Sequence, residues 1–211
     1  MLLDFDGPVC SIFAGLPATE VAARMVTDLR TAGEVTPDEW SGERDPLALL
    51  RRIADARADL VPRADGLLER AENEAAKTAL PTAGASEMLR ACADGGRSVW
   101  VVSNNAGSAI RAYLHDHNLT PFVAGVFGRV PGDPSSLKPN PRLLNDAIAM
   151  AVAKPSECVF IGDAARDVEA GTAAGIATIG YANKPGKAES LANAGAVSVV
   201  ESMSSIVDAL L

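Results

Sequence analysis

Five short apolar runs, at residues 2–5, 98–103, 123–127, 158–162 and 176–180, constrain this chain more than any other feature. Each is about one strand long, and runs apolar on both faces suit parallel strands covered by helices on either side. A weaker run occupies residues 196–200. Helical patterns at 106–117, 141–152, 168–174 and 187–194 separate the later runs. That alternation predicts an α/β fold built on a doubly wound parallel sheet.

The rhythm breaks between the first strand and the second. Residues 17–80 hold no convincing strand and read as amphipathic helices near 18–32, 46–58 and 63–79, punctuated by Pro37, Pro46, Pro62 and Pro81. An all-helical insertion at this point predicts a cap over the carboxyl ends of the strands. The expected division is a core at 1–15 and 82–211 and a helical cap domain at 16–81. A cap so placed is expected to close over the pocket and exclude water.

At 211 residues the chain has length for one good core and a smaller appendage. Its net charge of -8 argues against nucleic-acid binding, which depends on clustered Lys and Arg, but not against a small anion held in a local pocket. No apolar run approaches the roughly 18 residues that span a bilayer, and the N-terminus has no signal-peptide pattern. Cys10, Cys92 and Cys158 are scattered among small or apolar residues and read as packed free thiols. A cytoplasmic protein, monomer or homodimer, is the expectation, with no membrane or nucleic-acid partner. Only Met1 to Leu3 precede Asp4, which leaves open a native start upstream of Met1. His115 and His117, spaced i and i+2, do not share a helix face and read as a solvated helix end. Arg24, Arg51 and Arg52 read mainly as solvated helix faces paired with acids.

Functional groups of an open parallel sheet gather beyond the carboxyl ends of its strands, and four clusters fall there. Asp4 and Asp6 leave the first strand on one side, with Phe5 turned inward and Gly7 free to turn sharply. One such carboxylate can attack phosphorus while the other, protonated, gives a proton to the leaving oxygen. Ser103, Asn104 and Asn105 end the next strand, where a hydroxyl and backbone N–H groups can hold phosphate oxygens. Lys138 sits between Leu137 and Pro139, and its cation can offset charge on a phosphoryl group in transit. Asp163 and Asp167 follow the strand at 158–162 one helical turn apart, and carboxylates from two strand ends, Asp4 and Asp163, suit Mg²⁺. Each cluster alone has a plainer account: an Asp-rich turn, a helix N-cap at Asn104 or Asn105, a solvated lysine, a dipole-favoured Asp167. Their order, each at its own strand end, is hard to reach by accident.

Through residues 2–7, 101–104, 138–141 and 161–171 the chain resembles the haloacid dehalogenase-like hydrolases, in the phosphatase branch with a small helical cap typified by phosphoglycolate phosphatases. The resemblance implies a Rossmann-like core and a Mg²⁺-dependent phosphatase acting on a small phosphorylated metabolite. It implies Asp4 as nucleophile forming an aspartyl-phosphate, Asp6 as acid and then base, and Ser103, Asn104 and Lys138 as groups that hold the substrate phosphoryl. Mg²⁺ would be held by Asp4, the main-chain carbonyl of Asp6 and Asp163, with Asp167 supporting Lys138 or a metal-bound water. Asp6 argues against dehalogenation, because a halide leaves without a proton. The chain departs from the family in having Pro8 where Thr usually follows the glycine.

A sugar-phosphate mutase of the same superfamily would use the same four clusters and remains the alternative among enzymes. A non-catalytic phosphate-binding scaffold is the alternative outside them, though none of Asp4, Asp6, Lys138 or Asp163 is missing. A phospho-accepting receiver domain would carry no helical insertion after its first strand. A dinucleotide-binding domain is excluded by the lack of G-x-G-x-x-G there.

Overall fold

The computed structural model describes residues 1–210. The chain begins with β1 (Leu2–Leu3), turns through Gly7 into β2 (Cys10–Ser11), and enters three helices, α1 (Ala18–Thr31), α2 (Pro46–Ala56) and α3 (Val61–Ala76). It returns through β3 (Leu80–Pro81), which pairs antiparallel with β2. Then come α4 (Ala85–Asp94), β4 (Trp100–Ala106), α5 (Gly107–Asp116), β5 (Gly125–Arg129), α6 (Arg142–Ala151) and β6 (Val159–Gly162). The last elements are α7 (Ala165–Ala173), β7 (Ala177–Tyr181), α8 (Lys187–Asn193), β8 (Ser198–Val200) and α9 (Ser204–Leu210).

Six strands form one parallel sheet in the order β5-β4-β1-β6-β7-β8. The chain runs outward from β1 through β4 to β5, then crosses back to β6 on the other side of β1. That reversal makes the gap between β1 and β6 the topological switch point, where α/β sheets place their ligands. Strand alternation distributes the core between two faces. Leu3, Phe5 and Val101 pack into one cluster with helices α4, α5 and α1–α3, while Leu2, Val102 and Phe160 pack into another with Leu143, Leu144 and Ala147 of α6. Each fully buried Leu, Val or Phe of this kind contributes about 1.5–3 kcal/mol.

The predicted α/β fold is the observed one, and three differences matter for the site. β1 ends at Leu3 instead of residue 5, although Asp4 prolongs the ladder by donating its N–H to the Ile161 carbonyl at 2.9 Å. β4 runs on through Ala106, so Ser103, Asn104 and Asn105 lie in the strand, and the N-cap position of α5 falls to Ala106. α7 begins at Ala165, ahead of the expected 168, and so includes Asp167 in its first turn. Two helices and a stem were not anticipated. α4 carries a plain apolar stripe of Ala85, Met88, Leu89 and Cys92, and α9 packs against it. The two-residue strands β2 and β3 are too short to leave a period-2 pattern; they close the stem through which the helical insertion enters and leaves. No helix among the described residues is long and apolar enough to cross a membrane.

Candidate functional site

At the switch point the backbone brings Asp4 from β1 against Asp163 and Asp167 from the β6–α7 junction. The turn that follows Asp4 demands Gly7, whose φ is +106° and where a Cβ would strike the Asp163 carboxylate. Gly162 is constrained in the same way, since a Cβ there would overlap Asp167. The glycines thus let two chain segments close tightly enough for the acids to meet. Asp4, Asp163 and Asp167 each offer a carboxylate oxygen within 4.8 Å of the others.

Lys138 enters this acidic cluster from the segment between β5 and α6 and is only 1% exposed. Its Nζ lies 2.9 Å from Asp4 Oδ1 and 2.7 Å from Asp167 Oδ1, and it donates to the Val102 carbonyl at 3.3 Å. The Phe160 ring sits beneath it at 5.2 Å. Its backbone is clamped as well. The Lys138 N–H donates to Asn104 Oδ1 at 2.8 Å, and Asn104 Nδ2 donates back to the Lys138 carbonyl at 3.3 Å. Arg51 of α2 donates to that same carbonyl at 2.7 Å, so this arginine is a structural tie and not the solvated face expected of it.

The remaining oxygens have defined partners. Asp4 Oδ1 also accepts from the Phe5 N–H at 2.7 Å, which leaves Oδ2 for other chemistry. Asp167 Oδ2 accepts from the N–H groups of Asp163 and Ala164, at 3.1 and 3.0 Å, so capping α7 and pairing with Lys138 fall to the two oxygens of one side chain. Asp163 Oδ2 accepts from Asn183 Nδ2 at 3.0 Å and pairs with Lys187. Asp6 stands apart from the three-carboxylate group; its Oδ1 accepts from the Ile12 N–H at 3.0 Å. Ser103 Oγ donates to Asn105 Oδ1 at 3.1 Å.

Asp4, Asp6, Ser103, Asn104 and Lys138 line a single cavity of about 170 Å³. Its outer wall comes from Phe13, Ala18, Asp45, Pro46 and Leu47, with Arg166 of α7 at the side. Asp45 is placed by its own capping of α2, its Oδ1 accepting from the Leu47 N–H at 2.9 Å. Its other oxygen lies 4.0 Å from Arg166.

Burial dominates the electrostatics. It pushes Asp4 up to about 7, with Lys138 opposing and Asp167 and Asp163 adding to the rise. Asp6 is raised too, chiefly by burial, against the pull of the Ile12 hydrogen bond. Lys138 rises above the ordinary lysine range, because Asp167 and Asp4 outweigh a burial that on its own would lower it. Burial and the nearby Asp6 and Asp4 push the Cys10 thiol far up, so it is a packed thiol and no nucleophile. Cys10, Cys92 and Cys158 are all free. The three clustered carboxylates are hard oxygen donors and fit a small divalent cation better than a soft metal.

Behind the cavity lies a second buried ionic group absent from the sequence reading. Arg129, at the end of β5, pairs with Asp65 at 2.6 Å and Glu72 at 2.9 Å, both acids carried by α3. A signal for it existed: Asp65 and Glu72 are seven apart, on one helix face, and interrupt the buried stripe of Ala64, Leu68 and Ala75. Arg166, Asp45, Asn183 and Lys187 were also unanticipated, since each joins the site through tertiary contact alone.

The switch-point acids, the buried lysine and the parallel sheet define an α/β hydrolase scaffold with a carboxylate centre. A family model for haloacid dehalogenase-like hydrolases matches residues 3–175, and the chain belongs to that family. Similar solved structures agree on the fold. A predicted phosphatase from Clostridium acetobutylicum has a TM-score of 0.73 at 17% identity, over 99% of this chain and 96% of that one. A haloacid dehalogenase-like family hydrolase from Streptococcus pneumoniae has a TM-score of 0.72 at 13% identity, over 100% and 97%. A hydrolase of the family from Deinococcus radiodurans, with bound phosphate and sodium, has a TM-score of 0.63 at 25% identity, over 99% and 93%. Among curated proteins none matches the chain significantly.

Proposed function

We propose that this hydrolase is a cytoplasmic, Mg²⁺-dependent phosphatase that cleaves a small-metabolite phosphate monoester through an aspartyl-phosphate on Asp4. The observation that carries the reading is the Asp4 carboxylate at a 170 Å³ cavity, with Lys138 2.9 Å away and Asp163 beside it. The Deinococcus relative binds phosphate, which fits a phosphoryl site in this family. Residues 16–81 serve as the cap domain over a core of 1–15 and 82–211, and the cavity's size restricts the leaving group to a small one.

The chain's own groups fall into distinct roles. Asp4 Oδ2 attacks phosphorus, its partner oxygen being held by Phe5 and Lys138. The P–O ester bond breaks and the leaving oxygen takes its proton from Asp6, which its buried setting keeps protonated to higher pH than an ordinary aspartate. Asp6 then accepts a proton from the water that attacks the acyl phosphate, which frees inorganic phosphate and the Asp4 carboxylate. Lys138 and Ser103 hold phosphoryl oxygens, and Asn104 fixes the Lys138 backbone. Asp167 keeps Lys138 oriented at 2.7 Å. Mg²⁺, held by Asp4, Asp163 and the Asp6 main-chain carbonyl, would offset the charge gathered between nucleophile and phosphate.

Phosphate release from a panel of small monoesters, with Mg²⁺, with EDTA and with Asp4→Asn, tests the reading. Turnover that needs both Mg²⁺ and Asp4 supports it. A folded protein that releases no phosphate from any monoester overturns it and favours a mutase or a phosphate-binding scaffold.

A further inference from the structure

We propose that Glu72 of α3 is a positioning residue for the phosphate-gripping strand end, and that Glu72, Asp65 and Arg129 make α3 a fixed part of that apparatus instead of a moving lid. The proposal rests on the phosphatase reading of the cavity. Three consecutive residues after Ser103 are tied to this network. Arg129 Nη1 donates to the Asn104 carbonyl at 3.0 Å, Asn105 Nδ2 donates to Glu72 Oε1 at 3.0 Å, and the Ala106 N–H donates to Glu72 Oε2 at 2.9 Å. Glu72 is fully buried and Arg129 nearly so. Asp65 completes the group by accepting from Arg129 Nε at 2.6 Å and from the Gly132 N–H at 2.7 Å.

The chemistry of the carboxylate decides an orientation. An ionised Glu72 can only accept, so Asn105 must turn its NH₂ toward it. The Asn105 carbonyl oxygen is thereby aimed at Ser103, whose hydroxyl donates to it at 3.1 Å, while the Asn105 N–H reaches the same Oγ at 3.4 Å. Ser103 is thus held in place on one side, and the other side faces the cavity. Asn104, anchored through its carbonyl by Arg129, uses its side chain to clamp Lys138. One network on α3 and β5 therefore fixes both side chains assigned to phosphoryl oxygens.

Gluing a helix to a sheet does not require such a network. Apolar residues of similar volume usually do that as well or better, because buried charges are costly to desolvate. What apolar packing cannot do is choose which end of an amide faces a hydroxyl. The same buried pairs cross from α3 to β5 and β4, so swinging α3 away would strand charges in the interior. Cap movement is then confined to the wall formed by Phe13, Ala18 and the start of α2.

The test compares wild type, Glu72→Gln and the double variant Glu72→Gln/Asn105→Asp. Glutamine at 72 must point an NH₂ at either the Asn105 NH₂ or the Ala106 N–H. Aspartate at 105 restores an acceptor for that NH₂ and keeps an oxygen facing Ser103. The readouts are kcat and KM for the best monoester, and affinity for inorganic phosphate by calorimetry in Mg²⁺. The expectation is a loss of about 10–100-fold in kcat and weaker phosphate binding for Glu72→Gln, the range seen when outer partners of a site are removed. The double variant should recover most of that loss. Unchanged kcat and phosphate affinity in folded Glu72→Gln would overturn the proposal. So would a folded double variant with no recovery, which keeps the test decisive where the single variant does not fold. Phosphate affinity reads the positioning even where wild type hydrolyses no monoester, so a failed phosphatase reading is told apart from a failed role for Glu72. Hydrogen exchange on the wild type adds the last arm: α3 amides as protected without phosphate as with it support a fixed helix, and protection gained on binding refutes it.

Discussion

Two buried cations in this protein each sit between two acids, yet they are finished differently. Arg129 between Asp65 and Glu72 is saturated: its own N–H groups, both oxygens of Glu72 and both of Asp65 have partners within 3.0 Å. Lys138 between Asp4 and Asp167 is not. Asp163 crowds the same point, Asp4 is pushed up to about 7, and the group opens on a cavity. A saturated network specifies geometry, whereas an unsaturated one keeps capacity for a cation and a phosphoryl group.

The sharpest way to separate the two is to remove an acid from each. Asp4→Asn should cut turnover by roughly 10⁴-fold or more, as expected for a nucleophile. It should leave the metal-free protein at least as stable as wild type, because it deletes a carboxylate whose burial outweighs its pairing with Lys138. Phosphate release together with urea unfolding in EDTA measures both. A destabilised Asp4→Asn protein would mean that Asp4 is structural in the way Glu72 is.

Removing the cations is the next break. Lys138→Met and Arg129→Met each leave two acids buried without a counter-charge, at a cost of about 3–5 kcal/mol. Mg²⁺ is expected to give back part of that loss for Lys138→Met, since Asp4 and Asp163 can share it, and none for Arg129→Met. Urea titrations with and without Mg²⁺ read the difference. Equal behaviour of the two variants would erase the distinction between the clusters.

The pH response sharpens it further. With its pKa raised from 3.8 to about 7, folded Asp4 keeps a proton that the unfolded chain gives up. Between those values the unfolded chain binds fewer protons, so metal-free stability falls as pH rises through the window. Mg²⁺ favours the ionised carboxylate and should stabilise more at pH 8 than at pH 5. Melting temperatures in EDTA should slope downward by a few degrees more in wild type than in Asp4→Asn. Parallel slopes would remove Asp4 as the group responsible.

The two clusters also differ in how far they could be read before the fold was known. Asp4, Ser103, Lys138 and Asp163 each follow an apolar run or sit beside a proline, so strand ends could be assigned from local pattern. Topology then does the rest, because a doubly wound sheet brings strand ends together at one edge. Asp65, Glu72 and Arg129 are separated by up to 64 residues, and nothing local distinguishes two acids on a helix stripe from solvated ones. The strand status of Ser103 to Asn105 was illegible for a related reason. A polar Ser-Asn-Asn run before a helix reads as a cap, and only Glu72 and Arg129, arriving from elsewhere, satisfy those groups in extended backbone. Arg51 was misread because a helix arginine's partner, here the Lys138 carbonyl, leaves no mark in the sequence around it.

Arg166 lies between the two behaviours and predicts the smallest effect. It belongs to the same strand-end segment as Asp163 and Asp167 and lines the cavity, but its side chain is 41% exposed and its one ion partner, Asp45, is 4.0 Å away. So loose a pair is worth little to stability, and Arg166→Gln should unfold with wild type. The guanidinium nevertheless faces the space that a leaving group fills, beside the carboxylates Asp167, Asp4, Asp45 and Asp163 that keep it charged. Losing a half-solvated cation at that place should raise KM by about 3–10-fold for monoesters whose leaving group is itself anionic, and by less for neutral ones. kcat should hold, because Arg166 grips ground state and transition state alike. Steady-state kinetics on matched anionic and neutral substrates check this. A drop in kcat with KM unchanged would move Arg166 from the cavity wall into the phosphoryl site, and so enlarge the unsaturated cluster by one cation.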